Sequence, residues 1–563
     1  MRANDTERGR WSRENVAVVT RDAAVARATG VSQRQFCESD ICAEVPRATL
    51  RDMEARQLRL ETVSSPATAA FMATLDGIAL LNAIVTALHL VLGLSLGAGV
   101  GFIAQVLELA GLGPFMANSV RWHQDRAQIV ERTVRSFGRE ERTRMCAAMT
   151  LKCITLAGDE TFFPHGQICL VAIEPVSNFI VTETFVTNRE AKTWNAAVKV
   201  DLAGVPVTVV QSTADEGTSL AAHARSLKSN HSPDVFHVQH EVCGGVALAL
   251  SNQVCDASKA AGEAADAAEV VRAEMAAYHA TSHGPGRPPN WDQRIADADV
   301  AKIAADMEHE AAHDRREAFR EANRGIGADY HPFDLKTGEP LTAEAVVARV
   351  EARLSEIEKV AEAAGLGSNR AIAAIAKARR VVPGMKKTIS FFIDQTRSTV
   401  ANLGLVGSAA EAVSQCLVPA AYLERVAKRA PTALERDRLL ALAQARRDAA
   451  ADAAPELGAL SGEARATVDT IAVECANLFQ RSSSCVEGRN GQLSFRHHSL
   501  HSISPERLEA FTVMHNYFVK RDDGSTAAER FTGVAQQDLF EYVLARMPDL
   551  ARPRVRGRAV TMH

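Results

Sequence analysis

Residues 153–186 read CITLAGDETFFPHGQICLVAIEPVSNFIVTETFV and contain three β-rich runs separated by turn residues. Alternating apolar runs predict the elements that follow, which are helix 189–200, strand 205–211, helix 219–227 and strand 235–239. The order β-β-β-α-β-α-β predicts an antiparallel meander of three strands, joined to the later strands by helical crossovers. In a sheet of this order the first and fourth strands are neighbours.

Two acidic residues stand where these neighbouring strands are predicted to end. Asp159 closes the first strand and Asp215 closes the fourth, so their carboxylates are expected to meet at one edge of the sheet. Close carboxylates repel each other unless a cation lies between them, and the pair therefore indicates a site for Mg²⁺ or Mn²⁺. Two such ions can activate the attacking oxygen and stabilise the leaving oxygen of an in-line phosphoryl displacement. The alternative is that both acids cap strand ends in turns.

Four segments carry a resemblance to a known family: Gly158-Asp-Glu160, Thr213-Ala-Asp-Glu-Gly217, Pro233-Asp-Val-Phe-His-Val238 and Val486-Glu-Gly-Arg-Asn-Gly-Gln-Leu493. In this order they resemble DDE-type insertion-sequence transposases, a group of the RNase H-like superfamily, from a poorly classified bacterial set. The resemblance implies that Asp159, Asp215 and Glu487 form a catalytic triad that binds two Mg²⁺ or Mn²⁺ ions. It implies double-stranded DNA, as element ends and target, for the substrate. It also implies a homodimer or higher homo-oligomer on DNA.

The third acid lies far downstream of the second, so the helical stretch between them is predicted to be an all-α insertion in the catalytic domain. Glu474 and Glu506 are the alternatives to Glu487. We prefer Glu487 because Arg489 and Asn490 stand beside it, where a scissile phosphate needs hydrogen-bond donors.

Three further residues have weaker signals. Trp291, in a Pro-rich loop of the insertion, is a candidate for stacking on an unpaired base, although large aromatic side chains are usually packed. His237 is expected to be packed or hydrogen-bonded, with a place next to the site as the alternative. Asp234 is a fallback carboxylate.

Residues 1–65 predict a helix-turn-helix DNA-binding region. One candidate has its turn at Gly30 and its second helix at 33–38. An overlapping candidate begins its recognition helix at Pro46, whose fixed φ suits a first helical turn. The residues of that helix predicted to face DNA are Arg47, Thr49 and Arg51. A third unit is predicted with its turn at 111–113, although short helix pairs of this kind also occur in proteins that do not bind DNA.

The expected fold is an α/β RNase H-like catalytic core interrupted by a large all-α insertion, with an N-terminal helical helix-turn-helix region. The predicted domains are a helix-turn-helix region 1–65, a helical DNA-binding or linking domain 66–149, the first part of the catalytic core 150–250, an all-helical insertion 251–475, and the last part of the core with a basic tail 476–563. A heptad seam from Val347 to Ala361 predicts packing within the chain, with dimerisation as the alternative.

Length and composition limit the number of hydrophobic cores and the class of protein. The chain has 563 residues, 47% of them hydrophobic, and is long enough for several cores. Its net charge of -4 excludes a histone-like polycation, although basic residues gather in both tails.

The compartment is predicted from two further features. The apolar run 78–96 contains polar residues and has no basic flank, so it is read as a buried helix rather than a membrane span. The ten cysteines lack the spacing of a zinc site and are read as reduced thiols. A cytoplasmic, nucleoid-associated protein without a membrane partner is expected.

Two other functions remain open at this point. A nuclease derived from a mobile element would keep the cutting step and lose strand transfer. A DNA-binding regulator would use its helix-turn-helix units, and its acids would be structural.

Overall fold

The computed structural model describes residues 13–39, 45–284, 286–367, 369–500 and 502–551. Most of both basic tails lies outside these ranges. The N-terminal part is helical as predicted, with the helices α1 (Arg13–Ala28), α2 (Gln33–Cys37), α3 (Arg47–Val63), α4 (Pro66–Ala73), α5 (Leu75–Leu88), α6 (Val100–Leu109) and α7 (Val120–Ala148). A π-helical segment, His89–Ser95, continues α5.

The first predicted helix pair is present. Gly30 adopts a φ of 84° between α1 and α2, in the left-handed region where glycine is favoured. The Ser32 side chain accepts a hydrogen bond from the backbone N–H of Gln35, and the Gln35 side chain bonds back, which forms a capping box for α2. Phe36 is buried in a small core with Leu50 of α3. Helices α1, α2 and α3 therefore form one packed unit.

The third predicted helix pair is not formed. Pro114 lies in a short 3-10 turn, Gly113–Phe115, and the second helix begins only at Val120. Ser119 caps that helix by accepting a hydrogen bond from the N–H of Trp122, which fixes its start beyond the expected helix.

One helix of the described residues, Leu75–Ser95, is long and apolar enough to cross a membrane by length and composition. In its most apolar window, 44% of the residues are buried within the protein. Leu81 and Val85 pack with Ile103 and Leu107 of α6 in one apolar cluster.

The strands form a mixed sheet. Its strands and the helices between them are β1 (Lys152–Phe162), β2 (Ile168–Glu174), β3 (Phe179–Val186), α8 (Ala191–Asp201), β4 (Val207–Ala214), α9 (Thr218–Ser226) and β5 (Asn230–Pro233). The order across the sheet is β3-β2-β1-β4-β5. β1 pairs antiparallel with β2 and parallel with β4, so the first and fourth strands are neighbours as predicted.

The rest of the described chain is helical. Its helices are α10 (Val235–His279), α11 (Trp291–Asp329), α12 (Ala343–Ala363), α13 (Asn369–Ala401), α14 (Ala409–Ala412), α15 (Val418–Ala427), α16 (Ala433–Ala453), α17 (Gly462–Leu478), α18 (Ser484–Leu500), α19 (Pro505–Tyr517), α20 (Ala527–Thr532) and α21 (Leu539–Leu544).

The expected strand 235–239 is instead the start of α10. Asp234 caps this helix, because its Oδ1 accepts a hydrogen bond from the N–H of Phe236 at 2.7 Å. The buried valines that follow recur at helical spacings of three and four residues, and they are Val235, Val238, Val242 and Val246. The helix also runs without a break through the predicted domain boundary at 250–251.

The predicted fold class is wrong. The chain is 70% helical with one small mixed five-stranded sheet in its described part, and it does not show an RNase H-like α/β core. Two large cores explain the difference. One is built around the sheet, α7, α18 and α19, and the other is formed mainly by α10 to α17. Long Ala-rich helices therefore dominate the molecule, in keeping with the helix propensity of alanine.

The outer parts of α10 and α11, residues 255–311, form an arm. Within its described residues Ala268 is buried, whereas the continuous burial of α10 ends at Val254 and that of α11 resumes at Ala312. Arg272 pairs with Asp299, and Arg294 pairs with Glu274 at 2.6 Å, across the two helices. The arm is therefore an antiparallel hairpin that packs chiefly against itself.

The predicted heptad seam packs within the chain. Val350, Leu354, Ile357 and Ala361 of α12 are buried in the core formed by α10 to α17, and Val347 packs against it in part. This result confirms intramolecular packing for the seam.

Candidate carboxylate site

The strand register brings two predicted acids to the same part of the sheet. Ala157 of β1 pairs with Thr213 of β4 in parallel register, and Asp159 and Asp215 each follow two residues later. β1 continues to Phe162, so Asp159 lies inside the strand rather than at its end, and it pairs with Val171 of β2. Asp215 directly follows the last residue of β4.

Asp159 faces α18, the helix that carries the predicted third acid. Asn490 and Glu487 lie on this helix three residues apart and so share a face. The Asn490 side-chain amide donates a hydrogen bond to Asp159 Oδ2 at 2.8 Å. Burial raises the pKa of Asp159 to about 7, and the carboxylates of Glu487 and Glu160 contribute to that rise. Asp159 and Glu487 are therefore electrostatic neighbours.

Asp215 has a different neighbour. Burial raises the pKa of Glu160, and the charge of Asp215 raises it further. Since successive side chains of a strand alternate between faces, Glu160 points away from the Asp159 side of β1. Glu160 accepts a hydrogen bond from the indole N–H of Trp194 at 3.1 Å, and Asp215 Oδ1 accepts one from the N–H of Gly217 at 2.9 Å. The structure thus joins Asp159 with Glu487, and Asp215 with Glu160.

His237 lies against this site from α10. Its Nε2 atom is 3.4 Å from Glu487 Oε1 and 4.0 Å from Asp234 Oδ2. Asp234 is buried, and its Oδ2 accepts hydrogen bonds from the hydroxyl of Ser483 and, at 2.9 Å, from the N–H of Ser483. Asp234 therefore joins the N-terminal ends of α10 and α18, and this structural role replaces that of a fallback catalytic acid.

Two buried polar atoms around Asp159 and Glu487 have no hydrogen-bond partner. They are Nε2 of His237 and Oδ1 of Asn490. The two carboxylates and the Asn490 amide oxygen are the oxygen donors that Mg²⁺ or Mn²⁺ prefers, whereas the His237 nitrogen is a donor that Mn²⁺ accepts more readily than Mg²⁺. Within the described ranges, no group of three or more His, Cys, Asp or Glu side chains is arranged to hold a metal ion. The donor chemistry thus fits a cation, and a complete ligand set would require side-chain rearrangement.

The two alternative third acids lie elsewhere. Glu474 is exposed on α17, and its charge acts on Lys152 and Cys153 at the opposite end of β1 from Asp159. Glu506 is exposed in the first turn of α19. Of the three acids, Glu487 is the one placed against Asp159.

Arg489 is not a free phosphate donor in this structure. Its guanidinium forms a two-pronged ion pair with Glu183 of β3, and both N–O distances are 2.7 Å. The side chains are 2% and 0% exposed, and Thr512 donates a further hydrogen bond to Glu183 at 2.6 Å. The predicted DNA contact by Arg489 is therefore replaced by a buried structural pair, whereas Asn490 lies at the site through Asp159.

The other predicted DNA contacts lie far along the chain from this site. Arg47 and Arg51 are exposed on α3 and Thr49 is half-buried, and Arg51 donates a hydrogen bond to Gln33 of α2 at 3.2 Å. Trp291 begins α11 at the tip of the arm. It is half-buried, lies 5.6 Å from the ring of Tyr278, and has the Arg294 guanidinium 4.7 Å above its own ring. Contact of any of these residues with DNA stays a prediction.

Sequence reasoning missed Glu160, Glu183 and the helix-joining role of Asp234. Glu183 had a usable signal, because an acid inside the apolar run FIVTETFV requires a cationic partner when the strand is buried. Asp234 had the signal of an N-cap followed by apolar residues at helical spacing. Glu160 has no local signal, since its partner Trp194 lies on another element.

A family model described as "Family of unknown function (DUF6399)" matches residues 413–559 of the chain. No curated protein and no solved structure matches it. The matched residues include α18 with Glu487 and Asn490, and they exclude Asp159 and Asp215. The likeness therefore covers one half of the carboxylate site and assigns it no activity.

Proposed function

We propose that this protein is a DNA transposase that cleaves phosphodiester bonds at the ends of a mobile element and transfers the freed strand to target DNA. The observation that carries the proposal is the approach of two carboxylates, Asp159 and Glu487, with the unpartnered atoms of His237 and Asn490 around them. Two carboxylates that repel each other, with an amide and an imidazole beside them, favour a divalent cation.

Two Mg²⁺ or Mn²⁺ ions, when bound, supply activation of the attacking oxygen and charge stabilisation of the leaving oxygen. Asp159 and Glu487 would hold them, and Asp215, which lies beside Glu160 in this structure, would have to turn towards them to join the set. No protein nucleophile is required.

The chain's own residues hold these carboxylates in place. Asn490 orients Asp159 through its amide hydrogen bond. Ser483 and Asp234 fix the start of α18, and with it the position of Glu487 one turn later. Trp194 holds Glu160 on the far face of β1, which keeps a second carboxylate near Asp215.

The reaction balances without a co-reactant other than water. In the first step a water oxygen bonds to phosphorus at the element end, the P–O3′ bond breaks, and a 3′-hydroxyl and a 5′-phosphate form. In the second step that 3′-hydroxyl oxygen loses its proton and bonds to a phosphorus of the target strand, and the target P–O3′ bond breaks, so that the leaving oxygen takes up a proton and becomes a free target 3′-hydroxyl. The substrate is double-stranded DNA, and a homodimer or higher homo-oligomer would hold two element ends together in the cytoplasm.

The test is cleavage of a plasmid that carries the gene with its natural flanking sequence, in the presence of Mg²⁺ or Mn²⁺. Asp159→Asn, Asp215→Asn and Glu487→Gln are each expected to lower the cleavage rate at least about 100-fold, since each removes a charged ligand. Glu474→Gln and Glu506→Gln are the matched controls and should cleave like the unchanged protein. Equal cleavage by all five variants would refute the carboxylate assignment.

A second candidate, a DNA-binding regulator, is favoured by the packed unit of α1, α2 and α3 and by the exposed Arg47 and Arg51. It predicts duplex binding that Arg47→Gln and Arg51→Gln weaken, with no strand cleavage under any metal condition. Binding without cleavage by the unchanged protein would favour this candidate over the transposase.

A further inference from the structure

Three arginines lie around the segment that joins α17 to α18, and we refer to them as the arginine cluster. Arg425 belongs to α15, Arg429 follows the end of that helix, and Arg481 lies in the joining segment itself. Arg429 is exposed, and the other two are half-buried.

The contacts of the cluster involve neutral groups. Arg425 Nη2 donates to the carbonyl oxygen of Phe479 at 2.8 Å, and its guanidinium lies 4.8 Å above the ring of Tyr422. Arg481 donates to the carbonyl oxygen of Gly327. Nη1 of Arg425 is buried and has no hydrogen-bond partner. The cluster therefore retains unused donors.

The cluster also lacks counter-charge. In the described part of the chain none of the three arginines forms an ion pair, and the adjacent acid Glu424 is already paired with Arg447 at 2.8 Å. Burial lowers the pKa of Arg425, and the charges of Arg429 and Arg481 contribute to that decrease. A desolvated positive charge such as that of Arg425 is unfavourable without an anion beside it, and an anionic ligand would relieve this cost.

The main chain of Arg481 runs beside the carboxylate site, and its guanidinium turns to the Gly327 carbonyl. The N–H of Val235, the first residue of α10, donates to the carbonyl oxygen of Arg481 at 2.9 Å. Ser484, the first residue of α18, follows three residues after Arg481, and Glu487 lies one turn further. The starts of both helices are capped by Asp234, so the preference of this segment for anions comes from the arginines.

We propose that the arginine cluster binds a phosphate group of the DNA backbone next to the carboxylate site. The identity of the phosphate as DNA rests on the proposed function, whereas a phosphate site as such does not. Guanidinium groups suit such a group because their N–H donors match phosphate oxygens, and the unused donors here include Nη1 of Arg425 and the exposed guanidinium of Arg429. The cluster would thereby set the register of the strand relative to Asp159 and Glu487.

The experiment measures binding of a fluorescent 30-base-pair duplex by anisotropy, at KCl concentrations between about 50 and 300 mM. Arg429→Gln and Arg481→Gln are compared with Arg436→Gln, an exposed arginine of α16 that serves as the control. Each cluster variant is expected to make the slope of log K against log salt shallower by about one, and to weaken binding about 5- to 10-fold at low salt. The control should do neither. Arg425 is left unchanged because it holds the Phe479 carbonyl.

A second arm titrates the same proteins with inorganic phosphate by calorimetry. Unchanged duplex slopes in both cluster variants overturn the proposal, and phosphate binding that these variants abolish would then identify free phosphate as the ligand instead. A shallower slope in a protein that never cleaves DNA supports the cluster and refutes the transposase. Cleavage with unchanged slopes refutes the cluster alone. Failure of the unchanged protein to bind the duplex overturns both.

Discussion

Arg489 and Glu183 show how much a single residue's partner decides its role. The two side chains are buried, and a lone charge at either position would lack both water and a counter-ion. We expect Arg489→Met to lower the free energy of unfolding by about 3–5 kcal/mol, because it leaves the Glu183 carboxylate buried and unpaired. Urea unfolding monitored by circular dichroism measures this value.

Two comparisons make that result specific. The double variant Arg489→Met with Glu183→Leu should recover most of the lost stability, since neither charge then remains buried. Lys259 and Glu263 form an exposed ion pair, and their side chains are 77% and 69% exposed. Substitutions that remove this pair should lower the free energy of unfolding by less than about 1 kcal/mol. If the double variant has the same free energy of unfolding as Arg489→Met alone, the buried, unpaired carboxylate of Glu183 is not the cause of the loss.

At the same scale, the strand order predicted that Asp159 meets Asp215, and the resemblance to DDE-type transposases implied Glu487, which is the acid that the structure places against Asp159. The register of β1 and β4 follows from the pattern of apolar runs, and it places both aspartates at one part of the sheet. Which way each side chain turns depends on partners from distant elements, such as Trp194 for Glu160. Local patterns do not contain that information.

Among the elements, the joint between α10 and α18 is the one that positions the site. Asp234→Ala removes the cap of α10 and leaves the N–H and hydroxyl of Ser483 without their acceptor. We expect it to lower the free energy of unfolding by about 2–4 kcal/mol. Asp538→Ala, which removes the exposed cap of α21, is the control and should cost about 1 kcal/mol. If urea unfolding shows that the two variants lose the same free energy of unfolding, Asp234 does not join α10 to α18.

The arm allows a prediction about a pair of elements. Replacement of residues 260–309 by a short Gly-Ser linker should leave the melting temperature of the remaining protein within a few degrees, because the arm packs chiefly against itself. Replacement of α13, which is buried in the core of α10 to α17, by the same linker should prevent folding. Calorimetry and far-UV circular dichroism distinguish the two outcomes, and a large fall in melting temperature without the arm would contradict this description.

The start of α10 shows where element prediction failed. The run Val235–Val238 is apolar enough for a strand, and short apolar runs do not distinguish strand from buried helix. The valines at 242 and 246 continue the pattern at helical spacing, so a longer window indicates the helix. The stretch 251–475 is helical as predicted, so the wrong fold class comes from treating the small sheet as an RNase H-like core that these helices merely interrupt.

For the whole molecule, buried histidines predict instability in acid. Burial lowers the pKa of His89 to about 3 and those of His123, His223 and His515 to about 4. In the unfolded chain a histidine titrates near pH 6.5, so the unfolded state binds more protons between about pH 4 and 6.5. The contribution of these residues to stability is therefore present above about pH 6.5 and is lost as the pH falls towards 4.

The measurement is the free energy of unfolding at pH 7.5, 6 and 5. We expect His223→Gln to reduce the slope of this free energy against pH in that range by about one proton, equivalent to roughly 1.4 kcal/mol per pH unit. His498→Gln, at an exposed position of α18, is the matched control and should leave the slope unchanged. An equal slope in both variants would show that His223 is not kept neutral by the fold.

Helix α10 has mechanical consequences, because it contains no proline from Val235 to His279 and its 45 residues extend over about 65 Å. His237 lies in the first turn of this helix, and the tip of the arm near Trp291 lies at its other end. A rotation of about 5° at the base would sweep the tip through about 6 Å, given that length. A force that acts on the tip would thus exert a torque on the surroundings of Glu487, because the helix is continuous from one to the other.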